Sequence, residues 1–453
     1  MHMPKSSRKK TFTYKPLVVD LFCGAGGMSE GILQAGFDIA FSSDINDQVE
    51  ITYRARHEQL GIHQGVDTYF HRGDIKDLTG DFIIEKIKSL EKYRDFETIH
   101  VDAIFGGPPC QGFSRNGQRK GVDDPRNFLF REYVRVIREL SPDYVVMENV
   151  EGFTDTKLEG FVGLTNIKYT GNDALAPNLL RAELAIAGYS VLEPRILDAS
   201  DYGVPQSRHR AIFIAYKNGV SAPVYPEATV DNNHKVTVID AIGDLMTGLF
   251  ALPPSEYALE SIAGRTPHSK TGKPIRSNAM NNMELSRLTG VVQERFSLYR
   301  QGEPTAALRK RIRKDGVNLA PLPNLRALCA NSLDMEEEDA ILYYLHGGLT
   351  EDDADILLTK KNVRTRLDAN RTSPTVVTIA DDYIHPLENR TFSVRELARL
   401  QSFDDSFVFL GKRTTGGPRR RFEVPQYTQV GNAVPPLLAK AIALEILAAI
   451  RRN

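Results

Sequence analysis

Cysteine is scarce: Cys23, Cys110 and Cys329 are the only three in 453 residues, and no two stand in CxxC spacing. Three thiols cannot build a disulfide framework, so free thiols in a reducing cytoplasm are expected. The ten histidines lie without ligand spacing near those cysteines, which argues against a structural zinc site, and no metal is expected. No apolar run approaches the ~20 residues that a membrane helix needs, so no membrane partner is expected. The start, "MHMPKSSRKK", lacks the apolar stretch of a secretory signal and reads as a flexible basic tail over residues 1–15. Charge of one sign is lacking too: 57 Lys and Arg stand against 58 Asp and Glu, so net charge argues neither for nor against a nucleic acid. Local clusters say more. "RKRIRK" at 309–314 and "KRTTGGPRRR" at 412–421 read either as solvated faces, the commoner use of such runs, or as a phosphate-contacting surface.

What is present is alternation. "PLVVDLF" (16–22), "FDIAFSSD" (37–44), "VDAIFGG" (101–107), "DYVVMENV" (143–150) and "AIFIAY" (211–216) read as buried strands. Helical patterns lie between them, near 28–35, 47–59, 80–92, 127–140 and 174–187. Near-continuous apolar strands alternating with helices predict an α/β fold, with a parallel sheet covered on both faces and ligands at the strands' carboxyl ends. After about residue 217 the alternation stops, and 218–378 reads as a separate, smaller, irregular module. The segment 391–403 is helical again, with Ser393 as N-cap and Glu396 completing a capping box. Two prolines then open an apolar helix over 434–450.

The chemistry-bearing motifs sit at the strand ends. In "VVDLFCGAGGMSEG" (18–31), Gly24, Gly26 and Gly27 let backbone amides approach a ligand at a helix start. Asp44 ends the next strand, where a carboxylate can grip a ribose, or else cap the following helix. Asp74, in "RGDI", can accept from an adenine amine. Cys110, in "GGPPCQGFS" (106–114), follows two stiff prolines in a context that suits a core poorly, which points to a reactive thiol rather than a small buried residue. The glycines and basic residues of 111–127 describe a mobile lid. Glu148 closes an apolar strand, a position that suits a carboxyl sharing a proton with substrate, although a helix cap would look alike. Arg208 and Arg210, in "QSRHR", fall on one face of an extended chain, either for a ligand or for salt bridges. A thiol, a proton-sharing carboxyl, paired arginines and a nucleoside pocket together suit methyl transfer to C5 of a pyrimidine.

These residues resemble the DNA (cytosine-5) methyltransferase family. The likeness runs through "DLFCGAGGMSEG" (20–31), "GGPPCQGFS" (106–114), "MENV" (147–150), "YGVPQSRHR" (202–210), "RELARLQSF" (395–403) and "QVGNAVPP" (429–436). The resemblance implies a Rossmann-like, S-adenosylmethionine-dependent catalytic domain (16–217, completed by 379–453) with a target-recognition domain at 218–378. It implies that Cys110 is the attacking thiol, that Glu148 contacts N3 of the base, and that Arg208 and Arg210 hold the base and local structure, with Arg210 as the direct contact. Phe22, Gly24, Gly26, Asp44, Asp74, Pro109 and Asn432 would line the S-adenosylmethionine site, with Asp20 as strand-end support. The implied partner is double-stranded DNA read at a specific sequence, with a possible cognate restriction or defence protein. Three other readings stay open: an RNA cytosine methyltransferase, a DNA-binding protein without turnover, and methylation of an exocyclic amine.

Overall fold

The computed structural model describes residues 15–109, 127–247, 251–358, 361, 363–417, 419 and 422–453. Cys110, the 111–126 part of the expected lid, the tail through residue 14, and Arg420 and Arg421 lie outside the described residues.

The first half runs β1 (Leu17–Leu21), α1 (Gly27–Ala35), β2 (Asp38–Asp44), α2 (Asp47–Gln59), β3 (Tyr69–Arg72), α3 (Gly80–Ser89), β4 (Ala103–Gly106), α4 (Asn127–Leu140) and β5 (Tyr144–Val150). It continues with α5 (Ala176–Ile186), β6 (Tyr189–Val191), β7 (Arg195–Asp198) and β8 (His209–Lys217). One sheet holds all eight strands, in the order β3-β2-β1-β4-β5-β8-β6, with β7 also paired to β8. The five expected strands are β1, β2, β4, β5 and β8. The short β3, β6 and β7 carry too few apolar residues to show in the pattern.

The sheet is mixed rather than parallel. β3 to β5 run parallel, whereas β8 pairs antiparallel with β5, Val150 standing opposite Arg210. That reversal follows from β6 and β7 lying between α5 and β8 in the chain, so that β8 returns without a crossover helix. It also brings the start of β8, which carries the two arginines, to the carboxyl end of β5. Apolar clusters cover both faces of the sheet.

The middle segment, expected to be irregular, is helical over much of its length. It contributes α6 (Val238–Ile242), α7 (Glu256–Ala263), α8 (Gly290–Ser297), α9 (Thr305–Asp315), α10 (Pro323–Leu333), α11 (Glu337–Leu345) and α12 (Glu351–Leu357). These helices are short and amphipathic, and their breaks at proline and glycine masked the period. A core of Phe296, Leu308, Ile312, Leu325, Tyr344 and Leu357, joined by Ile384 of the return segment, serves the helices α8 to α12, whereas Val238, Ile242 and Tyr257 pack with residues 392–433. The basic run 309–314 is α9. There Arg309 pairs with Asp355 at 2.5 Å, Arg311 with Glu303 at 2.8 Å, and Arg313 with Glu351, so its arginines are matched to carboxylates of the same module.

The return segment follows a two-residue ladder between β9 (Thr365–Arg366) and β10 (Tyr383–Ile384) with α13 (Val394–Leu400), α14 (Gln426–Asn432) and α15 (Pro436–Ile450). Ser393 and Glu396 form the expected capping box, and Pro435 and Pro436 open α15. Arg395 and Arg399, both fully buried, bind the Asp404 and Phe407 carbonyls and the Asp244 and Asp405 carboxylates. α15 lies on α1, where the absence of a side chain at Gly31 lets the backbone at Pro436 and Lys440 approach. Among the described residues, no single helix is long and apolar enough to cross a membrane. α14 and α15 meet that test only as a pair bent by 40°, and the apolar face of α15 is buried in the core.

Candidate active site

One cavity of about 680 Å³ opens at the carboxyl ends of β1, β2, β4 and β5, where an open α/β sheet presents its ligands. Its volume suits a nucleoside-sized molecule. Phe22, Gly24, Asp44, Asp74, Pro109, Glu148, Arg208, Arg210 and Asn432 all line it, so residues spread along the chain meet at one place. Gly26 does not line it. Its left-handed φ of 100° makes it the N-cap of α1, and a Cβ there would meet the Tyr53 ring at 3.2 Å. Gly27 likewise serves packing: a Cβ would lie 2.3 Å from the Val434 carbonyl oxygen.

The turn after β1 is tight. Phe22 takes a positive φ of 57° and Gly24 one of 54°, with open space where the Gly24 side chain would be. A left-handed phenylalanine is strained, and such strain clusters at functional sites. Asp44 holds the loop by accepting from the backbone N–H groups of Gly24 at 3.1 Å and Asn46 at 2.9 Å. Each carboxylate oxygen keeps a second lone pair for a ligand. Asp44 is not the cap of α2, because the Asn46 side chain accepts from Gln48 and Val49 instead. Asp74 accepts from the Lys76 N–H at 3.0 Å while lining the cavity.

Asp20 does more than support the strand end. Its Oδ2 accepts from Ser29 Oγ at 2.5 Å, Oδ1 is buried without a hydrogen-bond partner among the described residues, and the residue lines the cavity. Burial pushes its carboxyl up to about 7, partly offset by the Ser29 bond and reinforced by Asp44. Acceptors at Asp44 and Asp74, together with the orphaned Asp20 oxygen, fit a nucleoside that carries hydroxyls, an amine and a cationic end.

At the other end of the cavity, Arg210 Nε lies 2.7 Å from Glu148 Oε1, with both side chains largely buried. Gly107 makes room for this pair, since a Cβ there would stand 3.2 Å from Glu148 Oε2. Buried Asn149 donates to the Pro108 carbonyl at 3.1 Å and so ties the end of β5 to the Pro-Pro segment that leads to residue 110. Arg208 is 2 % exposed and donates to the carbonyls of Val376 at 3.3 Å and Gly431 at 3.0 Å. Burial, and then Arg210, push its guanidinium well down. It therefore joins the catalytic half to the return segment.

The C-5 cytosine-specific DNA methylase family model matches residues 17–448. This chain belongs to that family. The methylase is 30% identical over 435 residues to the type II methyltransferase M.DdeI of Desulfomicrobium norvegicum, across 95% of this chain and 88% of that protein. It is 31% identical over 445 residues to the type II methyltransferase M.XorII of Xanthomonas oryzae pv. oryzae, across 97% and 86%. Its fold resembles the crystal structure of a prophage-encoded E. coli protein assigned as a DNA modification methyltransferase, with a TM-score of 0.63, 23% identity, and 96% and 100% coverage.

The sequence reading did not single out several residues on this methylase's cavity wall. Ile45, Asn46 and Ile75 directly follow the two acids, a position that could have marked them. Phe422 and Val424 carry no such signal. Of the three thiols, Cys23 and Cys329 are buried and burial raises both.

Proposed function

We propose that this methylase transfers a methyl group from S-adenosylmethionine to C5 of a cytosine in a specific double-stranded DNA sequence, through a covalent bond between Cys110 and C6 of an extruded base. The Glu148–Arg210 pair carries the reading. It stands 2.7 Å apart on the same wall as Pro109, one residue before the thiol. Phe22, Gly24, Asp44, Asp74, Pro109 and Asn432 would hold the methyl donor. When bound, S-adenosylmethionine supplies an electrophilic methyl carbon.

The protein's own part follows from elementary chemistry. The Cys110 thiolate forms a bond to C6 while Glu148 shares a proton with N3, so the electron pair displaced from the C5–C6 bond makes C5 nucleophilic. After C5 is methylated, loss of its proton to a base expels the thiolate and restores the ring. Arg210 orients Glu148, and Arg208 holds the surrounding backbone. C6 is hidden within a stacked duplex, so the base must leave the helix, as it does for enzymes that work on bases. The segment 218–378 reads the DNA sequence in this proposal. The named type II relatives support a place beside a cognate restriction nuclease.

A duplex carrying 5-fluorocytosine at the target, located first by single-base detection of 5-methylcytosine, tests the chemistry. The expected result is a denaturation-stable adduct on residue 110, lost in Cys110→Ser together with methylation. Turnover by Cys110→Ser would refute the nucleophile.

A further inference from the structure

Two of the three most exposed large apolar side chains among the described residues stand at the mouth of this cavity. Phe422 is 79 % exposed and Ile45 is 68 % exposed, and both line it. Scattered apolar side chains on a surface are ordinary. Two at one cavity mouth, beside a pair of acids, offer a ligand an apolar surface next to polar groups.

Phe422 is held there by its backbone. The N–H groups of Phe422 and Glu423 both donate to the Arg419 carbonyl, at 3.0 and 2.9 Å, and Asn46 Nδ2 donates to the Phe422 carbonyl at 3.4 Å. Glu423 accepts from Lys412 Nζ at 2.8 Å and from Thr415 Oγ1 at 2.6 Å. Leu410 is fastened to α2 through Thr52 Oγ1 at 3.0 Å. The aromatic ring thus stands exposed on a backbone held by these hydrogen bonds.

Position decides which part of a ligand it meets. Asp44 ends β2 with Ile45 next to it, and Glu148 lies near the end of β5, with β1 and β4 between them. Three strand spacings of about 4.8 Å put these ends roughly 14 Å apart. The reacting end of the ligand must lie by Glu148, so its other end lies by Asp44, Asp74 and Asn46, the residue bonded to Phe422.

We propose that Phe422 and Ile45 form an apolar clamp on the purine ring of the methyl donor, making Phe422, supplied by the return segment, a positioning residue for that ligand. A flat ring with two apolar faces and a polar edge fits two hydrophobic walls beside the Asp74 carboxylate. This rests on the reading of the cavity as the S-adenosylmethionine site.

The chain contains no tryptophan, so Phe422→Trp introduces a unique fluorophore at the clamp. Saturable change in its emission on adding S-adenosylhomocysteine is expected. A Phe96→Trp control, at an exposed ring outside the cavity, should not respond. By calorimetry, Phe422→Ala should weaken S-adenosylhomocysteine and adenosine alike, by about tenfold, and Phe422→Tyr should restore both. In turnover, the loss should fall on KM for the methyl donor more than on kcat. Wild-type binding with Phe422→Ala within twofold of it would overturn the clamp alone, as would a loss confined to S-adenosylhomocysteine. Failure of the wild type to bind S-adenosylhomocysteine would overturn the cavity reading and the clamp together.

Discussion

Glu148 and Asp20 are carboxyl groups lining one cavity with opposite surroundings. Glu148 has Arg210 at 2.7 Å, and its expected work is at the base. Glu148→Gln keeps shape and loses proton sharing, so kcat should fall by two or more orders of magnitude while DNA affinity changes little. Single-turnover rates and DNA titration separate the two, and a parallel fall would make Glu148 structural. Asp20 has no cation partner among the described residues, and burial lifts it from 3.8 to about 7. Between those values the folded protein keeps a proton that the unfolded chain has released. Through this group, stability therefore falls as pH rises from about 4 to about 7 and levels off above, by a few kcal/mol at most. This slope is opposite to that of a salt-bridged carboxylate. Asp20→Asn retains an acceptor for Ser29 and should flatten the slope, measured as thermal midpoints across that pH range. An unchanged slope would place the proton elsewhere.

At the level of elements, the joint between α1 and α15 ties the last helix of the chain to the first. Their residues lie some four hundred positions apart, yet a Cβ on Gly31 would sit 2.5 Å from Lys440 N and Pro436 O. On propensity alone, replacing a helix glycine by alanine gains roughly 1 kcal/mol. Here overpacking against backbone should reverse the sign, at about 1–3 kcal/mol. A denaturation midpoint above wild type for Gly31→Ala would contradict the joint. The glycine-rich block was legible as a tight turn before a helix. The space a side chain would need at Gly26 and Gly27 is taken by Tyr53 and Val434, and only the folded chain brings those groups near. The basic run of α9 has the same lesson. Its arginines look unopposed in sequence, and their carboxylates arrive from Glu303, Glu351 and Asp355 once the helices pack.

At the scale of the molecule, the cores are distributed unevenly. The cluster around Phe296, Ile312 and Tyr344 draws only on residues 288–384, while both sheet faces draw on the first half and one of them also on α15. Separate cores can melt separately. Scanning calorimetry should show more than one transition. S-adenosylhomocysteine should raise the transition of the sheet-bearing part by RT ln(1 + [L]/Kd) and leave the helical module's nearly in place. One transition that moves as a whole would show that the cores are coupled.

By itself the sequence determined the alternation of five strands and their helices, the capping box at Ser393, the polar and acidic residues at strand ends, and the six blocks that mark the family. Each of these depends on neighbours within a few residues, or on residue identity alone. Only the tertiary structure decided the antiparallel return of β8, the pairing of Arg210 with Glu148, the bonds of Arg208 to Val376 and Gly431, and the arrival of Phe422 beside Asn46. Those depend on contacts between segments up to 376 residues apart. Local periodicity holds no record of such contacts, because they form only when burial of the sheet faces brings the two ends of the chain together.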